Sequence, residues 1–212
     1  TTEDVSSQKM VTCIMQDHKG NLWFSTWDGI NKFDGYSFRN YKAHLGDFTG
    51  LTNNRINQIA EDKYGYIWLL NYYNQVYRFN PQTLQFPPIP YNKYQATSFY
   101  VLPSGDIWIT TEYEGLIHIN TDPGNHAITA ENFAQANNTP IIETVHHVAQ
   151  DAQQHQWILT CNGIYQLTPD SHVPVTFFVE NLQSNREQKQ PFYDILEREK
   201  EIYFTSYRGR IW

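Results

Sequence analysis

The chain has 212 residues, enough for one domain with a sizeable core or for a piece of a larger one. Aromatic residues make up 16% and charged residues 17%, a balance that excludes a disordered chain. A formal net charge of −7 argues against a nucleic-acid-binding surface, which needs clustered Lys and Arg. No apolar run approaches the ~18 residues needed to span a bilayer, and the polar opening TTEDVSSQ does not read as a signal peptide.

The chain repeats itself. The units read QDHKGNLWFSTWDGINKFD, EDKYGYIWLLNYYNQVYRFN, LPSGDIWITTEYEGLIHIN, QDAQQHQWILTCNGIYQLT and EREKEIYFTSYRGRIW. Their anchor rings, Trp23, Trp68, Trp108, Trp157 and Tyr203, are spaced by 45, 40, 49 and 46 residues. Six positions before each anchor lie Asp17, Asp62, Leu102, Asp151 and Glu197, and three before it the first units carry Gly20, Gly65 and Gly105. In the first unit a strand over 11–15 meets a turn at 17–21 and a strand over 22–26. A second turn at Asp28-Gly29 leads to strands over 30–33 and 36–41. No stretch keeps a helical apolar period. Four strands in a repeat of ~40–45 residues are the mark of a β-propeller. The expected fold is all-β: four-stranded antiparallel blades over about 8–44, 52–92, 95–130, 141–180 and an incomplete 190–212. Four complete units and part of a fifth, which stops mid-pattern at Trp212, do not close a ring, so the chain reads as a fragment of a longer protein.

QDHKGNLWFSTWDGINKFDGYSF resembles the two-component-regulator propeller repeat, and LTNNRINQIAED resembles its blade-start segment. The resemblance covers the whole chain, closest in the first unit and looser from the third on. It implies blades of a seven-bladed propeller in the periplasmic part of an inner-membrane hybrid two-component sensor. It also implies an oligosaccharide ligand, further blades and a downstream module as partners, a dimeric full-length sensor, and a histidine kinase outside this chain.

Catalytic and metal chemistry find little support in the residues. Asp17, Asp62 and Asp151 recur at one offset, as turn-capping carboxylates would. Glu112 and Glu114 flank Tyr113 but read as a solvated turn rather than an acid/base pair. His146 and His147 are adjacent on a strand and should point to opposite faces, so neither they nor the other histidines make a metal pattern. No cofactor fingerprint appears. Cys13 and Cys161 lie in apolar strands, as two buried thiols or, less simply, a disulfide. The chain is expected to be non-catalytic.

The candidate ligand-binding residues are on the turns between second and third strands: Trp27 and Asp28; Tyr72, Tyr73 and Asn74; Glu112 and Tyr113; Asn162; Tyr207 and Arg208. Arg55, beside Asn54, approaches the same face, although the family motif would make both blade-start structure. Rings beside polar groups suit sugars, whose C–H faces stack and whose hydroxyls hydrogen-bond. The rivals are a propeller enzyme, a lyase or glycosidase, and a protein-interaction scaffold using the same rings.

Overall fold

The computed structural model describes residues 10–42, 50–90, 95–133, 144–161, 163–169, 171–179, 192–198 and 201–206. The first sheet, in the order β1-β2-β3-β4, holds β1 (Val11–Gln16), β2 (Leu22–Thr26), β3 (Gly29–Phe33) and β4 (Phe38–Tyr41). The second, β5-β6-β7, holds β5 (Ile56–Glu61), β6 (Ile67–Asn71) and β7 (Val76–Phe79). The third, in the order β11-β10-β9-β8, holds β8 (Ala96–Val101), β9 (Ile107–Thr111), β10 (Leu116–Thr121) and β11 (Ile128–Asn132). The fourth runs β12 (Val145–Gln150), β13 (Gln156–Thr160), β14 (Gly163–Thr168) and β15 (Ser171–Val179). The fifth pairs β16 (Phe192–Arg198) with β17 (Glu201–Ser206). These are β-propeller blades, successive antiparallel meanders, as the repeat requires.

One expectation needs correction: the second sheet has three strands among the described residues, not four. After β7 only the Asn80–Gln85 bridge forms. Pro81, Pro87, Pro88 and Pro90 stand where a fourth strand would run, and proline has no N–H to give a ladder.

By Cα proximity the chain divides into two units, Thr1–Val101 with Thr121–Thr129, and Leu102–Asn120 with Ala130–Trp212. In the first, Trp23, Ile30, Leu51, Ile56, Ile59, Ile67, Leu69 and Phe79 form a buried core. In the second, Trp157, Leu159, Ile164, Phe192 and Phe204 do so. All four anchor tryptophans are buried, whereas Tyr203 is half-buried and Phe204 fills the core beside Trp157, their rings 5.3 Å apart. Cys13 and Cys161 are both thiols and half-buried rather than buried.

The recurring Asp holds the anchor. Asp17 accepts from the backbone N–H of Lys19 and Asn21 and, at 2.8 Å, from the Trp23 indole. Asp62 receives Trp68 Nε1–H at 2.9 Å, and Asp151 receives Trp157 Nε1–H at 2.9 Å. One carboxylate thus closes the turn and satisfies the buried indole, a donor that would be costly to leave unpaired. Burial opposes the charge on Asp17 and Asp151, but these donors outweigh it and hold both carboxyls below their ordinary value.

The third blade solves the problem differently. Leu102 has no side-chain acceptor, and Trp108 Nε1–H donates instead to Gln156 Oε1 of β13, at 2.8 Å. Gln156 in turn donates to Asp106, which also faces His118 Nε2 at 3.2 Å. His118 stacks on Trp108 with centroids 4.3 Å apart. The His118 hydrogen bond leads the causes that draw the Asp106 carboxyl down to about 2.

Two further devices repeat. The inner strands shift register at Val11/Cys13, Ile56/Gln58, Val145/His147 and Phe192/Asp194, a β-bulge carried from blade to blade. Residues before the first turn also reach the neighbouring blade's turn. Glu61 accepts from His18 N–H, Gln150 from Ser104 N–H and Glu197 from Ala152 N–H, at 2.7 to 2.9 Å. Pro103 has no N–H, so Gln150 takes the next one. Glu197 pairs with Ile202, just as Glu61 pairs with Ile67. The fifth hairpin is one residue shorter, so Glu197 is the counterpart of Glu61 rather than of Asp62.

Candidate functional site

In the first four blades the second-to-third-strand turns are held by a buried polar residue at the end of the second strand. Thr26 Oγ1 donates to Gly29 O and accepts from Asp28 N–H, both at 3.0 Å. Asn71 Oδ1 accepts from Tyr73 and Gln75 N–H at 3.0 Å. Thr111 and Thr160 donate to Gly115 O and Gly163 O at 2.9 and 3.0 Å. With the backbone polar groups closed internally, the tips are free to carry other chemistry. Gly29 is required in the first: φ is +96°, and a Cβ would meet Tyr41 O at 2.2 Å.

In the first unit the tips of two blades meet. Trp27, Tyr72 and Tyr73 are 39%, 56% and 60% exposed, large areas of ring for residues of this kind. The Arg55 guanidinium lies 5.0 Å from the Trp27 centroid and 5.4 Å from that of Tyr72, joining the two tips through cation–π contact. Tyr73 packs edge-on to Tyr72 at 6.0 Å. The backbone sets this up: Gly29 N–H donates to Asn54 O at 2.7 Å and Tyr72 N–H to Arg55 O at 2.8 Å. Asp28 is paired with Lys42. Asn74 works through its backbone, in the left-handed region at φ 61°, its carbonyl accepting from Ala96 N–H at 2.9 Å.

In the second unit Tyr113 is 80% exposed and its hydroxyl donates to Glu112 Oε1 at 2.9 Å. That bond raises the phenol's pKa above its ordinary value. Asn162, Tyr207 and Arg208 lie outside the described residues.

His146 and His147 depart from the expected alternation because they occupy the β12 bulge. His146 approaches the Tyr193 ring at 4.9 Å, and His147 Nε2 lies 3.7 Å from Asp194, so consecutive residues meet consecutive residues of β16. Burial lowers both imidazole pKa values. Among the described residues no three His, Cys, Asp or Glu side chains converge as a metal site.

Two features escaped the sequence reading. A cleft of about 780 Å³ in the first unit is lined by Tyr41, Lys42, Phe79, Leu84, Phe86 and Pro87 among others, and contains none of the tip rings. Arg78 is fully buried opposite Trp68, 3.6 Å over the Tyr66 ring. It donates through Nη1 to His126 O at 2.7 Å and through Nε to Asp62 Oδ2 at 3.3 Å, and its Nη2 lies 3.2 Å from the same carboxylate. A lone Arg in a short strand carried no signal of this.

Residues 5–28 and 50–73 match the two component regulator propeller family. These two segments are two-component-regulator propeller repeats. A curated relative, Histidine kinase P4 of Formosa agariphila, is 44% identical over 52 residues, 24% of this chain and 4% of the kinase. The extracellular domain of a hybrid two component system from B. thetaiotaomicron superposes with a TM-score of 0.65 at 21% identity, covering 93% of this chain and 26% of that one. PorZ, a surface component of the type-IX secretion system of Porphyromonas gingivalis, gives 0.62 at 15% identity, over 97% of this chain and 32% of its own. At these identities the structural likeness shows the propeller fold alone. The chain spans about a quarter of the extracellular domain and a small part of the kinase. No helix among the described residues is long and apolar enough to cross a membrane.

Proposed function

We propose that this chain is a non-catalytic part of a periplasmic sensor domain that binds oligosaccharides and signals to a histidine kinase elsewhere in the same protein. The two-component propeller repeats and the extracellular-domain likeness support the setting. The observation that carries the ligand is the cluster of exposed Trp27, Tyr72 and Tyr73 around Arg55. Flat rings offer stacking faces for sugar C–H groups, and the guanidinium offers donors to their oxygens. Glu112, the acid nearest such a role on the second unit's tip, is engaged by Tyr113. The experiment is calorimetric titration of the full-length protein with oligosaccharides first selected on a glycan array. Saccharide binding weakened in Tyr72→Ala is the expected result. Capture of a protein partner with no saccharide bound would make the face a scaffold, and turnover of a bound oligosaccharide would make it an enzyme.

A further inference from the structure

Arg55 is the exposed cation set between the tip rings of the first unit, and among the described residues no carboxylate neutralises it. Of the other cations of the unit, Lys42 pairs with Asp28 and Arg78 is buried against Asp62, while Lys32 and Lys63 each lie over a single ring. Arg55 is exposed, and no carboxylate pairs with it among the described residues. Its partners are two π faces, Trp27 at 5.0 Å and Tyr72 at 5.4 Å. Ring faces attract a cation but accept none of its hydrogen bonds in the guanidinium plane. The planar fork therefore keeps its donors for solvent or ligand, while the flanking rings restrict its orientation.

That arrangement has a preferred chemistry. A guanidinium binds a carboxylate or sulfate through two parallel charge-assisted hydrogen bonds, roughly twice as strong as neutral ones. A sugar hydroxyl accepts from it singly and without a charge of its own, so a neutral sugar gains less from the fork than an anionic one. The chain's net charge of −7 gives no general attraction for anions, which leaves recognition to this local site.

We infer that Arg55, between Trp27 and Tyr72, recognises an oxyanion on a sugar, the carboxylate of a uronic acid or a sulfate ester, with the tip rings stacking on the adjoining pyranose. The inference rests on the proposed oligosaccharide reading of the same site. Carboxylate and sulfate share the chemistry, and the test separates them.

The probes are trigalactose, trigalacturonate and 6-O-sulfated trigalactose, titrated by calorimetry into the full-length protein, alongside an array of neutral, uronate and sulfated oligosaccharides. The variants are Arg55→Gln, Arg55→Lys and Trp27→Ala, with thermal unfolding to confirm that each folds. One acidic series is expected to bind at least tenfold tighter than its neutral counterpart. Arg55→Gln should abolish that preference, and Arg55→Lys should keep part of it, since Lys retains the charge without the fork. Which acidic series wins names the oxyanion. Neutral sugars bound equally well and sensitive to Trp27→Ala but not to Arg55→Gln would overturn this inference and leave the oligosaccharide reading standing. Acidic sugars bound unchanged by Arg55→Gln would also overturn it. No saccharide bound anywhere on the array would sink both.

Discussion

Each second strand has two ends, and they behave differently. At the first-turn end the repeats agree: Asp17, Asp62 and Asp151 close the turn and take the anchor indole, and where Leu102 breaks the rule Gln156 supplies the acceptor. At the tip the capping Thr or Asn is kept while the exposed residues change from Trp27-Asp28 to Tyr72-Tyr73 to Glu112-Tyr113. The first end is constrained by a buried donor that must be satisfied, whichever residue does it. The second has its backbone satisfied internally, so its side chains vary without cost to the fold. Variation on a constant frame is where binding chemistry can be built.

The largest effect should come at the locked end. Asp62→Ala removes the acceptor of the Trp68 indole and strands the buried Arg78, and it should cost ~3–5 kcal/mol by denaturant unfolding. A loss below ~1 kcal/mol would show that the lock is incidental. Gln156→Leu should cost less, ~1–3 kcal/mol, because it orphans the Trp108 indole while Asp106, which loses one donor, keeps His118 and Ser104. Adding Leu102→Asp to that variant should recover about half of the loss. Failure to recover any would mean that the two locks are not equivalent.

Acid should loosen the same end. Asp17, Asp106 and Asp151 have depressed folded pKa values, Asp106 at about 2. A depressed carboxyl contributes stability that is full above its unfolded value of 3.8 and is lost as pH falls through the folded value. Stability should therefore decline from about pH 4 towards pH 2, and Asp106→Asn should shallow that decline. An unchanged slope in the variant would remove Asp106 from the account. Smaller again, Gln154 sits at φ 68°, where the first three blades have Gly20, Gly65 and Gly105 at 84°, 81° and 90°. Gln154→Gly should stabilise by ~0.5–1 kcal/mol, read as a raised Tm, because glycine adopts that backbone without a Cβ clash.

Much of the locked end was legible in the sequence because it recurs at constant spacing. Asp17 and Trp23 are six apart in three blades, and the turn glycines mark the left-handed position that the coordinates share. What was hidden depends on contacts between distant residues or on a change of register. Gln156 replaces the missing Asp from another sheet, 48 positions away in sequence from the indole it serves. The residue opposite each anchor changes chemistry, from Lys32 to Arg78 to His118 to Gln166, so no repeat betrays it. Glu197 stands at the offset of Asp62 from its anchor, but its pairing with Ile202 makes it the counterpart of Glu61, one position earlier. The prolines that end the second sheet at three strands were visible, but as a connection. At the tips, ring positions could be read from the turns, and Arg55 was placed near them. Its seat between Trp27 and Tyr72 needed coordinates.

The smallest effect on stability should coincide with the largest on binding, in Trp27→Ala. Its ring lies on a tip and adds little to the core, so unfolding should shift by less than ~0.5 kcal/mol. Loss of an exposed stacking ring from a ligand contact should weaken binding by ~1–3 kcal/mol, about 5–150-fold. The direct measurement is one titration of the full-length protein, wild type against Trp27→Ala, with the tightest oligosaccharide from the array and Tm recorded on the same samples. Affinity lost with Tm unchanged is the predicted result. Affinity unchanged with Tm unchanged would contradict the central claim that these tips hold the ligand.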